Sequence, residues 1–200
     1  MAKRKLNNVT MFGISTDNFY TLQKAARVCL DYIDFEEVVL LSRNEIDYVH
    51  NIHDYNKFMI RDLSKYVNTD YVLTMQYDGF ILNPDAWNDE FYDYDYIGAP
   101  WKFDAHWLTV DNKVGNGGFS FRSKKLIDRV ATLPYTIEAE DIFISINSYK
   151  TLVDEGFKFA PFDVANRFSM EIGEWDGQFG FHSLALTNLN KWKDKNKYNF

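Results

Sequence analysis

The chain has 200 residues, a length that suits one domain with a sizeable core. We expect a single domain over residues 1–200, with its core between about residues 8 and 185. Its 22 basic and 29 acidic residues give a net charge of −7 without a long basic stripe, which argues against nucleic-acid binding but allows a nucleotide ligand. The single cysteine, Cys29, cannot form an internal disulfide and suits a reducing compartment. Because the sequence has neither a signal peptide nor an apolar run of about 18–20 residues, we expect a soluble, cytoplasmic protein without a membrane span.

The first half of the chain predicts alternating strands and helices. Three apolar runs predict strands: Asn8–Ser15, Glu37–Ser42 and Tyr71–Met75. Apolar residues at helical spacing predict a helix from Phe19 to about Tyr32, capped by Thr16 or Asp17, and a second helix that contains Phe58 and Tyr66. The order β-α-β-α-β with short connections predicts an α/β fold with parallel strands and crossover helices.

The second half contains a glycine-rich turn followed by an alternating strand, Phe119–Arg122. Two helices are expected, Lys124–Leu133 and Ile142–Leu152, the second preceded by acidic residues. Phe157–Pro161 is predicted as a short strand, and the lysine-rich C-terminal segment is expected to be peripheral. Cys29 falls in an apolar helical pattern and is interpreted as a core residue.

Asp78 follows the buried Tyr71–Met75 strand, at the end where open α/β sheets bind their ligands. A buried carboxylate is costly unless it is paired, hydrogen-bonded or bound to a metal. One interpretation is therefore a ligand of Mg²⁺ or Mn²⁺ that holds a diphosphate. The other is an Asp-Gly turn formed with Gly79.

Three further candidates each have a structural and a functional interpretation. His182 is either a core histidine or a ligand in a tight loop between Gly180 and Ser183. Gly115-Asn-Gly-Gly118 is either a hairpin turn or a place where the backbone approaches a ligand closely. Glu140-Asp141 is either a helix cap or the general base for a sugar hydroxyl.

Six segments, taken in chain order, resemble one family. They are Gln76–Gly79, Tyr94–Trp101, Gly115–Ser123, Glu140–Asp141, Phe168–Glu171 and Phe179–His182. The series resembles a family of small GT-A-type glycosyltransferases found in bacteria and large DNA viruses, including domains with which chloroviruses decorate their capsid protein. The Ile-Gly-Ala-Pro-Trp and Gly-Asn-Gly-Gly stretches are its specific parts.

The resemblance implies a single-domain GT-A (Rossmann-like) fold and a metal site for Mn²⁺ or Mg²⁺. Asp78 falls where these enzymes place the last acid of an Asp-x-Asp motif, and His182 matches the histidine that completes the site. Gln76 stands where the first acid would be, which leaves the metal one carboxylate fewer. Asp141, or Glu140, matches the acidic pair that carries the base in inverting members.

The resemblance also implies substrate-binding residues. On the donor side they are Ser15, Thr16, Asp17, Arg43, Arg61, Gln76, Tyr77, Asp78, Asn116, Gly117 and Gly118. Surface salt bridges would explain Arg43 and Arg61 equally well. Trp101 and Trp107 are candidates for stacking on the acceptor sugar, with core packing as the alternative.

The implied activity is transfer of a hexosyl or deoxyhexosyl group from a nucleoside-diphosphate sugar to a hydroxyl of a glycan or glycoprotein. UDP is the expected nucleotide, with GDP as the alternative, and inversion with Asp141 as base is the expected mechanism. A non-catalytic module that binds a nucleotide sugar or a carbohydrate on the same fold is the alternative function, favoured by Gln76.

Overall fold

A computed structural model describes residues 3–102, 112–185 and 187–198. Its strands are β1 Arg4–Ile14, β2 Ile33–Leu41, β3 Tyr71–Met75, β4 Tyr96–Ile97, β5 Phe119–Ser123, β6 Ser169–Met170, β7 Gly173–Glu174, β8 Gly180–Phe181 and β9 Thr187–Asn188. Its α-helices are α1 Phe19–Tyr32, α2 Ile52–Arg61, α3 Lys124–Val130, α4 Glu140–Ile142, α5 Tyr149–Asp154, α6 Phe162–Phe168 and α7 Lys195–Tyr198. A short 3₁₀ turn at Leu63–Tyr66 lies between α2 and β3, and two more, at Pro84–Ala86 and Asp89–Asp93, lie between β3 and β4.

The central sheet has the strand order β2-β1-β3-β5-β4. Strand β1 is parallel to both β2 and β3, whereas β5 is antiparallel to β3 and β4. Gly13 pairs with Leu40 and Met75, and Met75 pairs with Phe119, so the ends of β1, β2 and β3 and the start of β5 share one edge. The prediction of an α/β fold with a mostly parallel sheet is confirmed.

Both faces of the sheet are covered by helices. Leu73 and Met75 of β3 face the cluster that contains α1, whereas Val72 faces a second cluster with Phe58 of α2. The apolar run of β3 therefore reflects burial on both faces, as predicted. Cys29 lies in the α1 cluster, where burial raises the pKa of its thiol to about 12, so its interpretation as a core residue is confirmed.

Several local predictions were wrong. Asn18, rather than Thr16 or Asp17, caps α1, since its side chain accepts a hydrogen bond from Thr21 N at 3.2 Å. The predicted helix 142–152 is broken by a π-helical turn at Phe143–Asn147. Residues 157–161 do not form a strand, because the segment pairs only through a bridge between Phe159 and Tyr96.

A small parallel pair, β6 and β8, adjoins the edge of the sheet where β3 ends, since Ser183 N donates to Asp78 O at 2.8 Å. Ser169 pairs with Gly180 and Met170 with Phe181, and His182 N donates to Met170 O at 2.8 Å. Glu171 and His182 therefore leave two adjacent parallel strands at the same end.

The C-terminal segment packs on the domain. Trp192 is buried, contacts Phe80 and stacks on Tyr198 of α7. No helix in the described part of the chain combines the length and apolar composition that crossing a membrane requires.

Candidate functional site

A cleft of about 450 Å³ opens where β1 and β3 end. Its volume is within the range of ligand pockets, about 300–1,000 Å³. It is lined by predicted donor-binding residues, namely Ser15, Thr16, Asp17, Gln76 and Tyr77. The structure thus brings the segments after the first and third strands together at one edge of the sheet.

Two helices begin at this cleft. Asn18 caps α1, and Asn51 caps α2 by accepting hydrogen bonds from His53 N at 2.8 Å and Asp54 N at 3.1 Å; both asparagines line the cleft. The positive ends of helix dipoles favour anions. The cleft is therefore chemically suited to a phosphorylated ligand.

The two arginines predicted to bind the donor lie in different places. Arg43 forms an ion pair with Asp17 at 2.9 Å, and its Nε donates to Thr16 O at 3.3 Å, which brings it to the cleft. Arg61 donates to the carbonyl oxygens of Ala131 and Leu133, where it joins α2 to the end of α3. It occupies the last turn of α2, about 14 Å along the helix from the turn at the cleft. Arg61 does not join the other donor-side residues.

Asp78 and His182 face one another beside the cleft. The Asp78 Oδ1 to His182 Nε2 distance is 3.5 Å, and Gln76 Oε1 lies 3.2 Å from the same nitrogen. The amide nitrogen of Gln76 donates to the Tyr55 hydroxyl at 2.6 Å, which turns its oxygen toward the imidazole. Three atoms that could bind a metal ion therefore converge: one from a carboxylate, one from an imidazole and one from an amide.

The donor set fits a divalent cation. Asp78 Oδ1 is buried and has no hydrogen-bond partner among the described residues. Two ligand atoms that are each about 2.1 Å from one ion can lie at most roughly 4.2 Å apart, and the 3.5 Å between Asp78 Oδ1 and His182 Nε2 is within that limit. The described residues contain no group of three or more acidic, histidine or cysteine side chains placed to hold a metal. The protein would supply few ligands and leave positions for phosphate and water oxygens.

Gly117 and Gly118 connect the Asp78–His182 pair to the acidic pair. A Cβ on Gly118 would overlap the His182 imidazole, and a Cβ on Gly117 would overlap the Glu140 carboxylate. The space beside both glycines is thus filled by the side chains of candidate site residues. The two glycines let the side chains of His182 and Glu140 pack against the turn that precedes β5, Gly115–Gly118, which is called the β5 turn below.

Glu140 and Asp141 have different surroundings. Glu140 is 3% exposed and forms an ion pair with fully buried Arg122 at 2.7 Å. Burial raises the pKa of Glu140, and Arg122 opposes that shift. Asp141 is half-buried, and its two oxygens accept hydrogen bonds from Ile142 N at 2.8 Å and Gly117 N at 3.4 Å. Of the two, Asp141 has the carboxylate that a substrate could reach.

Sequence reasoning assigned no role to Glu171, although its segment belongs to the resemblance. Burial raises the pKa of Glu171, as does the charge of Asp141, whereas Asn116 and His182 lower it. Glu171 is therefore a neighbour of Asn116, His182 and Asp141, which are three candidate site residues. The only sequence signal for Glu171 is its place in the Phe168–Glu171 segment. Glu171 lies next to His182, eleven positions further along the chain, only because β6 pairs with β8.

Trp101, one of the two tryptophans predicted on the acceptor side, does not offer an exposed ring. Trp101 is 4% exposed, and a Cβ on Gly115 would overlap its indole ring. Burial against Gly115 favours the packing interpretation of Trp101 over stacking on a sugar. Trp107 lies outside the described residues.

Three solved glycosyltransferases are among the structures that match this chain. The glycosyltransferase involved in the glycosylation of the major capsid of PBCV-1 has a TM-score of 0.55, with 11% identity over 88% of this chain and 93% of that chain. Galactosyltransferase LgtC, in complex with donor and acceptor sugar analogs, has a TM-score of 0.48, with 11% identity over 95% of this chain and 94% of that chain. Mannosyltransferase PcManGT from Pyrobaculum calidifontis, in complex with GDP-Man and Mn²⁺, has a TM-score of 0.47, with 10% identity over 78% and 55%.

The likeness to the PBCV-1 enzyme confirms the predicted GT-A fold, and at 11% identity it concerns the fold alone. No curated protein matches the sequence. The family model described as "Protein of unknown function (DUF5672)" matches residues 39–182, more than half of the chain, and the chain therefore belongs to this family.

Proposed function

We propose that this protein is a metal-dependent glycosyltransferase that moves a hexosyl or deoxyhexosyl group from a UDP-sugar to a hydroxyl of a glycan or glycoprotein. The observation that carries the proposal is Asp78 Oδ1, a buried oxygen that accepts no hydrogen bond from the described residues and lies 3.5 Å from His182 Nε2, beside a cleft of about 450 Å³. The GT-A fold, shared with a capsid glycosyltransferase, supports it.

The donor would bind across the cleft and the Asp78–His182 pair. Ser15, Thr16 and Asp17 would contact the nucleoside, and Arg43 would orient Asp17 through their ion pair. The N-termini of α1 and α2 would face the diphosphate. Asp78 and His182 would hold Mn²⁺ or Mg²⁺, which supplies positive charge against the negative charge of the leaving diphosphate.

Asp141 would act as the general base. The acceptor oxygen forms a bond to the anomeric carbon while the bond from that carbon to the diphosphate oxygen breaks, and the hydroxyl proton passes to Asp141. Attack from the face opposite the leaving group inverts the anomeric configuration. Glu140 is unsuited to this step because Arg122 occupies one of its oxygens in the interior.

The direct test is release of UDP from UDP-sugars with Mn²⁺ and a panel of glycan acceptors. We expect turnover that EDTA abolishes. Asp141→Asn should lower kcat by about 10²–10⁴-fold while donor affinity stays close to that of the wild type. Glu138→Gln, which changes a half-buried acid two residues before Glu140 that accepts hydrogen bonds from Thr136 and Asn147, is the control and should retain activity. Full turnover by Asp141→Asn would remove Asp141 from this role.

The second candidate function is a non-catalytic module that binds a nucleotide sugar. Gln76 favours it, because a neutral amide stands where the resemblance has an acid and holds the ion less strongly. Binding of UDP-sugars without UDP release across the acceptor panel, and without hydrolysis in the presence of Mn²⁺, would favour the module over the enzyme.

A further inference from the structure

Glu171 and His182 are neighbours because β6 and β8 are parallel and in register. Met170 pairs with Phe181, so the next residues along the two strands, Glu171 and His182, emerge side by side. Thr187 holds both strand ends, since its hydroxyl lies 2.7 Å from the Glu171 carbonyl oxygen and 3.3 Å from that of His182. The backbone of Glu171 is therefore fixed next to a proposed metal ligand.

Asn116 approaches Glu171 from the β5 turn. Its backbone φ is +61°, a left-handed conformation uncommon for residues other than glycine, and its side chain is almost completely buried. A hydrogen bond from Asn116 to the Glu171 carboxylate lowers the pKa that burial raises. Gly118, two residues after Asn116, packs against the His182 imidazole, and His182 is the neighbour of Glu171 across the β6–β8 pair, so the Asn116 and Glu171 side chains connect the glycine-rich turn before β5 to the end of β6.

This pair leaves two hydrogen-bond acceptors unused. Glu171 Oε2 and Asn116 Oδ1 are both buried, and neither has a hydrogen-bond partner within the described ranges. Leaving a buried acceptor unsatisfied costs about 1–3 kcal/mol, so such atoms are usually matched by a ligand or water. Acceptors call for hydroxyl or N–H donors rather than for an anion.

We propose that Glu171 and Asn116 form the subsite for the sugar being transferred, where their free oxygens accept hydrogen bonds from ring hydroxyls of the donor hexose. This inference rests on the proposed function and names the residues that select the sugar. The pair adjoins His182 of the metal pair, and Gly117, the residue after Asn116, donates to Asp141 Oδ2 at 3.4 Å, so the pair lies between the group that would hold the diphosphate and the base. The sugar ring must occupy that interval when the glycosidic bond breaks.

The experiment compares the affinities of UDP alone with those of UDP-glucose, UDP-galactose and UDP-N-acetylglucosamine, by calorimetry in Mn²⁺ with the full chain. For each sugar, the ratio of its Kd to that of UDP isolates the contribution of the sugar ring. Glu171→Gln removes the charge at constant size, and Asn116→Gly removes the amide at a position whose φ suits glycine. For the sugar that the wild type prefers, we expect both variants to raise this ratio of Kd values at least tenfold, which corresponds to about 1.4 kcal/mol. The Kd for UDP should stay within about twofold of the wild-type value.

Two controls match the substitutions. Asn8→Gly makes the same change at another left-handed asparagine, with φ +68°, whose side chain contacts Asp70 near the start of β3. Glu174→Gln neutralises an exposed acid three residues after Glu171. Both controls should keep the wild-type ratios for every sugar.

The outcomes separate this inference from the function on which it rests. If the wild type binds no nucleotide sugar, the proposed function fails and the subsite fails with it. If the wild type binds UDP-sugars and the variants keep their ratios within twofold, only the subsite is overturned. An equal loss of UDP and UDP-sugar affinity would also overturn it, because the pair would then act on the nucleotide or the metal.

Discussion

At the scale of single residues, the site depends on glycines whose absent side chains leave room for functional ones. Gly118 is the clearest case, because the volume of its Cβ is occupied by the His182 imidazole. Nothing about a glycine-rich turn in the sequence distinguishes this role from that of a hairpin. The distinction has a measurable consequence.

Gly118→Ala should displace His182 and weaken metal binding. The added methyl meets the imidazole, whose main chain is held by the hydrogen bond from His182 N to Met170 O. We expect Mn²⁺ affinity in the presence of UDP, measured by calorimetry, to fall at least tenfold, or about 1.4 kcal/mol. Gly13→Ala adds the same methyl in β1 against the ends of Leu22 and Leu40, and should leave Mn²⁺ affinity unchanged. Unchanged Mn²⁺ affinity in Gly118→Ala would mean that His182 is not a ligand.

The Arg122–Glu140 ion pair should behave as a buried unit. Arg122 is completely buried, lies 5.3 Å from the Tyr96 ring centroid and donates to Ser120 Oγ at 2.9 Å. Removing one member leaves the other as an uncompensated charge, which costs about 3–5 kcal/mol. We therefore expect Arg122→Met to lower the free energy of unfolding by that amount in urea denaturation.

The double variant separates pairing from packing. Arg122→Met combined with Glu140→Leu removes both charges, and its free energy of unfolding should recover by at least half of the single-variant loss. If the double variant instead loses as much free energy of unfolding as Arg122→Met and Glu140→Leu lose together as single variants, the ion pair contributes no coupling. Glu140→Gln alone should cost at least as much as Arg122→Met, because it leaves the Arg122 guanidinium charged in the interior, whereas Glu140 without Arg122 can take up a proton.

At the scale of elements, periodicity and burial predicted the α1 and β3 segments well. Phe19–Tyr32 and Tyr71–Met75 have the predicted bounds because each has a continuous pattern and a clear end. The predicted 157–161 strand failed because its neighbour is the two-residue β4, which offers a single bridge. The π-helical turn after Ile142 leaves no mark in an apolar pattern of that length. Local pattern therefore predicts an element better than it predicts that element's partner.

The candidate site followed the same rule. Asp78 and His182 were found because each ends a recognisable segment, and the structure brings them together. Arg61 was predicted either to contact the donor or to form a surface salt bridge, and Trp101 either to stack on a sugar or to pack in the core. The sequence did not show that they contact carbonyl oxygens and a glycine, respectively. Glu171 was missed because its proximity to His182 depends on the register of β6 and β8. Pairing between distant segments is the information that one sequence lacks.

The contact of the C-terminal segment with α1 should weaken in acid. Lys197 Nζ and the Tyr198 hydroxyl bind Asp31 Oδ2 at 2.9 and 2.6 Å, and hydrogen bonds from Tyr198 and Lys197 lower the pKa of Asp31 below its ordinary 3.8. A carboxyl whose pKa is depressed by folding contributes stability above its unfolded pKa and loses it as pH falls through the folded pKa. The contribution is small, since the group is largely exposed.

Hydrogen exchange of residues 187–198 measures this effect. Below pH 3.8 the protection of the segment should fall in the wild type, and Asp31→Asn should reproduce that lower protection at neutral pH. Asp34→Asn, which neutralises an exposed acid on β2, is the control and should leave the segment protected. Equal protection in Asp31→Asn and the wild type at neutral pH would show that the contacts with Asp31 do not hold the segment.

At the scale of the whole molecule, the site joins almost every part of the fold. Its groups come from the ends of β1 and β3, the turn before β5, the start of α4 and the ends of β6 and β8. A ligand that bridges them would bind the folded chain and not the unfolded one. Ligand binding should therefore raise the melting temperature of the domain as a unit.

UDP with Mn²⁺ provides that measurement. At a ligand concentration 100 times its Kd, the stabilisation is about 2.7 kcal/mol. A domain of this size gains about 2–4 °C per kcal/mol, so the melting temperature should rise by about 5–11 °C. Asp78→Ala should lose the part of the rise that depends on Mn²⁺, because it removes the unpartnered carboxylate of the metal pair. Asp141→Asn should keep the whole rise, since the base contacts the acceptor rather than the nucleotide.

Asp85→Ala serves as the control for Asp78→Ala, since it removes an exposed carboxylate seven positions further along the chain and should keep the full response to Mn²⁺. An undiminished Mn²⁺-dependent rise in Asp78→Ala would mean that the ion binds elsewhere and that the buried oxygen of Asp78 has another role. A rise with UDP that is the same with Mn²⁺ as with EDTA would instead mean that the cleft binds the nucleotide through the helix N-termini and the β1 end alone. That result would favour the non-catalytic module, because a metal-dependent transferase needs the ion to neutralise its leaving diphosphate.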